Sequence, residues 1–314
     1  MKFYSTLFLY EYPNEKGLFF MDKVKQTIHY WCDDIRNGRC MGDKIGIAVL
    51  DTGLSPHPDL SGRVKAFRDC VYGKETLYDD SGHGTHVAGI LCGSGRMSGG
   101  VFAGMAPKAE LVVVKMLDQK GEGSMEQMSA AVDWVKSNWR KYGIRIVNIS
   151  VGARAGIQKG KEEEIVKKVE ELWDEGLFVI AAAGNYGPRQ GTITIPGTSR
   201  KVITAGALAE KKRGFYCSGE GPTEACVVKP DVLAPGCRII SCNGAWKKTG
   251  KFYTIKSGTS MAAPVVSGAM ALLLSKYPDM SNVEAKLKLR SSSRRVETET
   301  TQGWGLFQVE QLLE

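Results

Sequence analysis

Five short apolar runs, separated by charged or glycine-rich stretches, constrain the fold of this chain more than any other feature. They are rich in β-branched residues and apolar on both faces, which is typical of parallel strands covered by helices. The runs are 45–51, 111–117, 144–150, 177–183 and 201–207. Helix-like stretches lie at 83–92, 124–141, 161–175 and 260–276. This alternation predicts a three-layer α/β fold, in which a doubly wound, mainly parallel central sheet has helices on both faces.

Composition and charge argue against several classes of function. The net charge is +8, but the basic residues are dispersed, so we expect no nucleic-acid partner. No apolar run approaches roughly 18 residues, which predicts no membrane span and no membrane partner. The eight cysteines form no CxxC pair and no signal peptide is evident, so we expect buried, reduced thiols in a cytoplasmic, bacterial protein. The oligomeric state is left open.

Polar residues that follow the predicted strands mark a candidate site. Asp51 ends the first run, Ser150 ends the third, and Asn185 follows the fourth. Functional residues of an α/β sheet gather at the carboxyl ends of its strands. We therefore expect a carboxylate, an amide and a serine-bearing loop along one edge of the sheet.

A histidine and a second serine add to this edge. Ser260 lies in a run of small residues just before a predicted buried helix, whose first turn we expect to contain Pro264. A serine at such a position is more often only a helix N-cap. His83 is flanked by Gly82 and Gly84, which let other backbone approach the ring closely. A lone histidine of this kind is more often structural, so the partners of both residues decide the interpretation.

Together these residue types can carry out nucleophilic catalysis. A neutral His83 can take the proton of the Ser260 hydroxyl during attack and return it to the leaving amine. Asp51 can hold the other ring nitrogen, which fixes the tautomer and stabilises the imidazolium. Asn185 and the Ser260 backbone N–H can donate hydrogen bonds to the oxyanion. The set predicts acyl transfer by a serine nucleophile.

The motifs around these residues resemble those of the subtilisin-like serine proteases, or subtilases. AVLDTGLSPHPDL surrounds Asp51, DDSGHGTHVAGI surrounds His83 and SGTSMAAP surrounds Ser260, in the family's order of aspartate, histidine and serine. The lesser signatures are NISVG, AAAGN, KPDVLAPG and GWGLFQVEQLL. The resemblance implies a serine endopeptidase that acts on protein or peptide substrates. The alternative is a catalytically silent binding or regulatory protein on the same fold.

The resemblance also implies where a substrate lies. Family members bind an extended peptide between two backbone segments, which match Gly121-Glu122-Gly123 and Ser150-Val151-Gly152 in this chain. By position, Met125, Met128 and Val151 line a pocket for an apolar P4 residue.

The P1 pocket is implied in the same way. Its walls match Val151 to Ala153 and Ala182 to Gly184, and Thr194 lies near its base. None of these residues is acidic, so a buried Lys or Arg at P1 would lack a partner. We expect broad specificity for apolar P1 and P4 residues, with Leu, Met, Phe or Tyr favoured at P1 and Thr194 limiting the largest.

The sequence departs from secreted members of the family at their calcium site. Asp59 matches an aspartate that binds calcium in those proteins, but the loop 93–102 offers no Asp, Asn or Glu. Calcium takes roughly six to eight oxygen ligands. We expect no cofactor for catalysis and no tight structural calcium, with Asp59 as the one candidate metal ligand.

Residues 1–20 are predicted to be a short N-terminal extension before a subtilisin-like peptidase domain at 21–314. The extension is too short to fold by itself, and it carries the apolar patch TLFLY followed by Glu-Tyr-Pro. Two arrangements are open. It lies across or near the cleft and is trimmed on activation, or it packs on the flank of the domain.

Overall fold

The structure is a computed structural model that describes residues 2–4, 21–156, 159–208, 218–297 and 303–314. The apolar patch of the N-terminal extension therefore lies outside the described residues, as does Cys217. The boundaries of the expected subtilisin-like peptidase domain, 21–314, remain a prediction.

Nine of the described strands form one sheet. The strands are β1 Lys2–Tyr4, β2 Gly46–Asp51, β3 Val64–Asp69, β4 Glu110–Lys115, β5 Glu122–Ser124, β6 Ile144–Ile149, β7 Phe178–Ala182, β8 Ile203–Ala207, β9 Val232–Ala234, β10 Ile239–Cys242, β11 Tyr253–Lys256, β12 Ser293–Arg294 and β13 Leu306–Phe307. The sheet order is β12-β13-β9-β8-β7-β6-β2-β4-β3. All neighbours in it are parallel except β12 and β13. The five predicted runs form β2, β4, β6, β7 and β8.

The helices cover both faces of this sheet. They are α1 Met21–Thr27, α2 Asp33–Arg36, α3 His83–Cys92, α4 Met125–Asn138, α5 Lys159–Asp174, α6 Trp246–Thr249, α7 Thr259–Lys276, α8 Asn282–Ser291 and α9 Val309–Leu313. Ile47 and Val49 of β2 belong to the apolar cluster that includes α3 and α7, whereas Ala48 and Leu50 belong to the cluster that includes α4 and α5. Successive side chains of a strand point to opposite faces, so the predicted three-layer architecture is confirmed.

The chain adds strands to the sheet on both sides of β2 in turn. From β2 it first builds β3 and β4 on one side, and then crosses to build β6, β7 and β8 on the other. The crevice between the carboxyl ends of β2 and β6 is thus a topological switch point, where open α/β sheets bind their ligands. Asp51 ends β2 and Ser150 follows β6, as the sequence predicted.

Helix α7 is the central helix of one layer. Every residue from Thr259 to Leu274 is buried. By length and composition alone the helix is apolar enough to cross a membrane, but 89% of it lies inside the protein. It begins at Thr259, so Pro264 lies in its interior, and the prediction of a first-turn proline was wrong. The reason is that Gly258, with φ 141°, starts the helix ahead of the apolar run.

The described part of the segment 208–256 contributes three short strands. β10 and β11 form an antiparallel pair. β9 joins the central sheet parallel to β8. It was not among the predicted runs, because three residues are too few to show strand periodicity. Residues 209–217 lie outside the described residues.

All seven described cysteines are free thiols. Five of them are buried, namely Cys32, Cys40, Cys92, Cys237 and Cys242. Burial raises the pKa of the Cys92 thiol to about 12, which keeps it protonated and unreactive. Cys226 is exposed, whereas the sequence predicted buried thiols.

Candidate active site

A buried aspartate–histidine pair forms the first part of the site. His83 is the first residue of α3, and its Nδ1 lies 2.7 Å from Oδ1 of Asp51. The two side chains expose 3% and 0% of their surface. Because a carboxylate only accepts hydrogen bonds, Nδ1 carries the proton and donates it, and Nε2 is left as the acceptor of the neutral ring.

Gly84 makes this close approach possible. A Cβ on Gly84 would lie 3.2 Å from the Asp51 Cβ and would overlap the carbonyl oxygen of Gly53. The expectation that a glycine beside His83 admits other backbone is confirmed at this position. Gly82 serves as the N-cap of α3 with φ 82°, a conformation that favours glycine.

Asp79, to which the sequence analysis gave no role, joins the loop after β2 to the start of α3. Its Oδ1 accepts hydrogen bonds from the Thr52 hydroxyl at 2.8 Å and from the Gly82 N–H at 2.7 Å. Its Oδ2 accepts the N–H and the hydroxyl of Thr85 at 2.9 and 2.6 Å. The sequence signal that could have identified Asp79 is its position just ahead of a helix N-terminus, where an acidic residue is favourable.

Lys115 is a second residue that the sequence analysis missed. It is fully buried at the end of β4, and its Nζ donates to the carbonyl oxygens of Thr52 and Leu117 at 2.7 and 2.8 Å and to Asp80 at 2.7 Å. A charge persists inside a protein only when it is paired and hydrogen-bonded. Lys115 thus fixes the loops that follow β2 and β4 against the loop that precedes His83.

Ser260 occupies the second position of α7 and is 6% exposed. The N-cap of that helix is Gly258, so the simpler hypothesis of a capping serine does not hold. The Ser260 hydroxyl makes no hydrogen bond to any residue in the described part of the chain. Catalytic hydrogen bonds are often long without substrate and shorten when substrate binds.

Asn185 lies beside the N-terminus of α7. Its Oδ1 accepts the N–H of Thr259 at 2.9 Å and the Thr259 hydroxyl at 3.1 Å. These bonds orient the amide so that Nδ2, the donor end, points away from Thr259. A Cβ on Gly258 would lie 3.0 Å from Nδ2, so the glycine leaves room for the amide.

One small pocket opens beside Ser260. The predicted residues that line it are Val151, Gly152, Ala182, Gly184 and Thr194, and the missed ones are Tyr186 and Thr259. Its volume is about 10 Å³, close to the least space that holds one water molecule. A Cβ on Gly152 or Gly184 would overlap the side chain of Thr194. Thr194 therefore fills the space between the two walls.

Strand β5 contains Glu122 and Gly123 of the predicted substrate segment, and Gly121 precedes it with φ 72°. β1 pairs with β5 antiparallel, with Lys2 opposite Ser124 and Tyr4 opposite Glu122. A strand from the chain's own N-terminus thus lies where the resemblance implied an extended peptide.

The other predicted substrate residues have structural partners. Ser150 accepts a hydrogen bond from Asn148 Nδ2 at 2.8 Å. Met125, Met128 and Val151 expose 3%, 1% and 1% of their surface and belong to one apolar cluster. The structure brings these three together, and the P4 pocket that they were expected to form remains a prediction.

The surroundings of Asp59 do not suit a calcium ion. Its Oδ1 accepts the N–H of Met97 at 2.9 Å and its Oδ2 accepts the Tyr253 hydroxyl at 2.7 Å. His57 and Cys242 offer ligand atoms within 4.8 Å. However, both nitrogens of His57 are engaged, with the Asp59 N–H at 3.1 Å and the Phe252 carbonyl at 2.9 Å. Calcium needs oxygen ligands, whereas this site presents hydrogen-bond donors to Asp59.

The comparisons with known proteins agree with this fold. A family model described as the subtilase family (Peptidase_S8) matches residues 42–305. The chain belongs to the subtilase family and is a subtilisin-like serine endopeptidase that acts on protein or peptide substrates.

Individual relatives cover most of the chain. Serine protease AprX of Bacillus subtilis is 38% identical over 315 residues, which are 94% of this chain and 71% of that protein. Subtilisin Savinase of Lederbergia lenta is 32% identical over 271 residues, which are 86% of this chain and 90% of that protein. Among solved structures, Sphericase matches with a TM-score of 0.73 and 29% identity, over 85% of this chain and 92% of that chain.

Proposed function

We propose that Asp51, His83 and Ser260 are the catalytic triad of this endopeptidase. The observation that carries the proposal is the 2.7 Å hydrogen bond from His83 Nδ1 to the buried Asp51 carboxylate. It fixes the tautomer that leaves Nε2 to take the Ser260 proton. His83 then returns that proton to the leaving amine, and Ser260 holds the acyl group until water releases it.

Asn185 supplies the side-chain donor for the oxyanion. Its Oδ1 is held by Thr259, so Nδ2 is aimed before the substrate arrives. The backbone N–H of Ser260, in the first turn of α7, is the second donor, and the positive end of the helix dipole favours the same negative charge. A preorganised donor of this kind lowers the barrier by about 2.7–4 kcal/mol.

The substrate binds as an extended strand against β5 and residues 150–152, with its P1 side chain in the pocket beside Ser260. Thr194, whose side chain lies close to both walls of the pocket, favours smaller apolar P1 residues over the largest. None of the described residues that line the pocket is acidic, so Lys and Arg at P1 are disfavoured.

The test is hydrolysis of internally quenched peptides by single variants. Ser260→Ala and His83→Ala should lose activity with the fold intact, and Asn185→Ala should lower kcat about 10²–10³-fold. Ser275→Ala and the exposed His29→Ala are the matched controls and should behave as the wild type. Near-wild-type turnover by any of the three site variants would overturn the assignment. A wild type without activity would favour the silent alternative.

A further inference from the structure

Lys115 is a buried charge whose hydrogen-bonding capacity is fully used. It ends β4 and exposes none of its side chain. A lysine ammonium group has three N–H donors. The three acceptors are the carbonyl oxygens of Thr52 and Leu117, at 2.7 and 2.8 Å, and Oδ1 of Asp80 at 2.7 Å. Because one atom holds all three groups, a neutral replacement such as methionine frees all three at once.

The first acceptor adjoins the catalytic carboxylate. Thr52 follows Asp51 in the chain, and its N–H donates to Asp51 Oδ1 at 2.7 Å, the same oxygen that lies 2.7 Å from His83 Nδ1. The Thr52 hydroxyl accepts the N–H of Gly84, in the first turn of α3, at 2.9 Å. Lys115 holds the carbonyl oxygen of Thr52 and so fixes the residue that makes both contacts.

The second acceptor, Asp80, lies three residues ahead of His83. Its carboxylate is 31% exposed, and its bond to Lys115 ties the loop before α3 to the buried ammonium group. Opposite charges make such a hydrogen bond stronger than a neutral one. Lys115 therefore holds both members of the catalytic pair, each through a neighbour in the chain.

The third acceptor, Leu117, leads to the substrate strand. The N–H groups of Met116 and Leu117 donate to the Asp51 carbonyl oxygen at 2.9 and 3.3 Å. The turn that follows is closed by two hydrogen bonds of 2.9 Å, from the Asp118 N–H to the Glu122 carbonyl oxygen and from the Glu122 N–H to Asp118 Oδ1. The position of Leu117 is thus passed on to β5, where we propose that the substrate binds.

We propose that Lys115 is a positioning residue, which sets the Asp51–His83 pair and strand β5 in one fixed geometry. The proposal rests on the proposed function, since it assumes that this pair activates Ser260. Lys115 touches no reacting atom and acts through its three acceptors. A displacement of roughly 1 Å at a catalytic group can cost about 10²-fold in rate. Loss of the three bonds should therefore lower activity far more than it lowers the folded fraction.

Lys229 provides a matched control. It is also fully buried, and its Nζ donates to the carboxylate of Asp231 and, at 3.0 Å, to the carbonyl oxygen of Val202. Val202 and Asp231 directly precede β8 and β9. This lysine therefore lies at the amino ends of the parallel strands, the edge opposite the catalytic pair. If buried lysines only stabilise the fold, Lys115→Met and Lys229→Met should behave alike.

The test compares these full-length variants at a temperature at which circular dichroism shows each to be folded. The rate of labelling by an alkyl fluorophosphonate reports the catalytic pair alone, because the probe has no peptide backbone to pair with β5. KM for an internally quenched peptide reports β5. Lys115→Met should lower the labelling rate and kcat about 10²-fold and raise KM, whereas Lys229→Met should keep the wild-type values. Equal losses in the two variants, or wild-type labelling of Lys115→Met, would overturn the inference.

Asp80 variants decide the question if Lys115→Met does not fold. Asp80→Ala removes one of the three bonds and should lower the labelling rate about tenfold, the size expected for a hydrogen bond to a charged group, with KM unchanged. Asp80→Asn retains an oxygen acceptor and should lose less. Wild-type labelling of Asp80→Ala would contradict the inference. A wild type that reacts with neither the probe nor the peptide would overturn the proposed function instead.

Discussion

Oδ1 of Asp51 lies 2.7 Å from Nδ1 of His83, although 32 residues separate them in the chain. The contact forms because β2 ends and α3 begins at the same edge of the sheet, and because Asp79 joins the two segments through Thr52 and Thr85. The histidine tautomer required for catalysis is thus fixed by the fold in the absence of substrate.

Thr194 should set the size of the P1 residue. In Thr194→Gly the space between Gly152 and Gly184 opens, so kcat/KM for P1 Phe relative to P1 Ala should rise at least tenfold. A buried aromatic side chain gains about 1.5–3 kcal/mol from leaving water. Thr194→Val, which keeps the volume, is the control and should retain the preference for small residues. Equal P1 profiles for the glycine variant and the wild type, measured with a P1-varied peptide library, would contradict this reading of the pocket.

The N-terminal strand should compete with substrate. Since β1 pairs with β5, a variant that starts at Met21 should be more active at once, chiefly through a lower KM. A synthetic peptide of residues 1–20 should inhibit that variant, and a scrambled peptide of the same composition should not. Unchanged KM after truncation would favour the alternative in which the extension packs on the flank.

Asp59 should stabilise the fold through Tyr253 and not through calcium. EDTA should therefore leave the melting temperature of Ser260→Ala nearly unchanged, while Tyr253→Phe in the same background should cost about 1–3 kcal/mol, because it leaves a buried carboxylate oxygen unpaired. Tyr72→Phe alters an exposed tyrosine and is the control. A large drop in melting temperature with EDTA would reveal a calcium site.

His86 should make the protein sensitive to acid. Burial, with a smaller contribution from the charge of Lys256, holds its pKa well below the ordinary 6.5. The unfolded chain therefore takes up this proton first, so stability is retained above about pH 6.5 and falls as the pH drops below it, by up to about 1.4 kcal/mol per pH unit.

Urea unfolding of Ser260→Ala at pH 7.5 and 5.5 measures this effect. The loss of unfolding free energy between pH 7.5 and pH 5.5 should be smaller in Ser260→Ala/His86→Gln. It should stay unchanged in Ser260→Ala/His29→Gln, since His29 is exposed. Part of the loss should remain in both, because burial also lowers the pKa of His57. Equal stability of the Ser260→Ala protein at the two pH values would refute the assignment.

The sequence predicted the central strands and the edge at which Asp51, His83, Ser260 and Asn185 gather, because strand periodicity and strand ends are local signals. It did not predict the partners of Asp79 and Lys115, since a polar residue in a motif or an apolar run does not reveal which backbone groups will surround it. Thr194 lines the small pocket beside Ser260, and its role at the base of a P1 pocket stays a prediction. How close it lies to Gly152 and Gly184 could not be read from the sequence, because that distance depends on how the two walls fold together.

The central claim is that Ser260 is the nucleophile and that His83 activates it. The most direct measurement is labelling with a fluorophosphonate probe followed by mass spectrometry of the modified peptide. We predict one adduct, on Ser260, which is absent from Ser260→Ala and strongly reduced in His83→Ala, while His29→Ala is labelled like the wild type. Labelling of another serine, or equal labelling of His83→Ala and the wild type, would contradict the account.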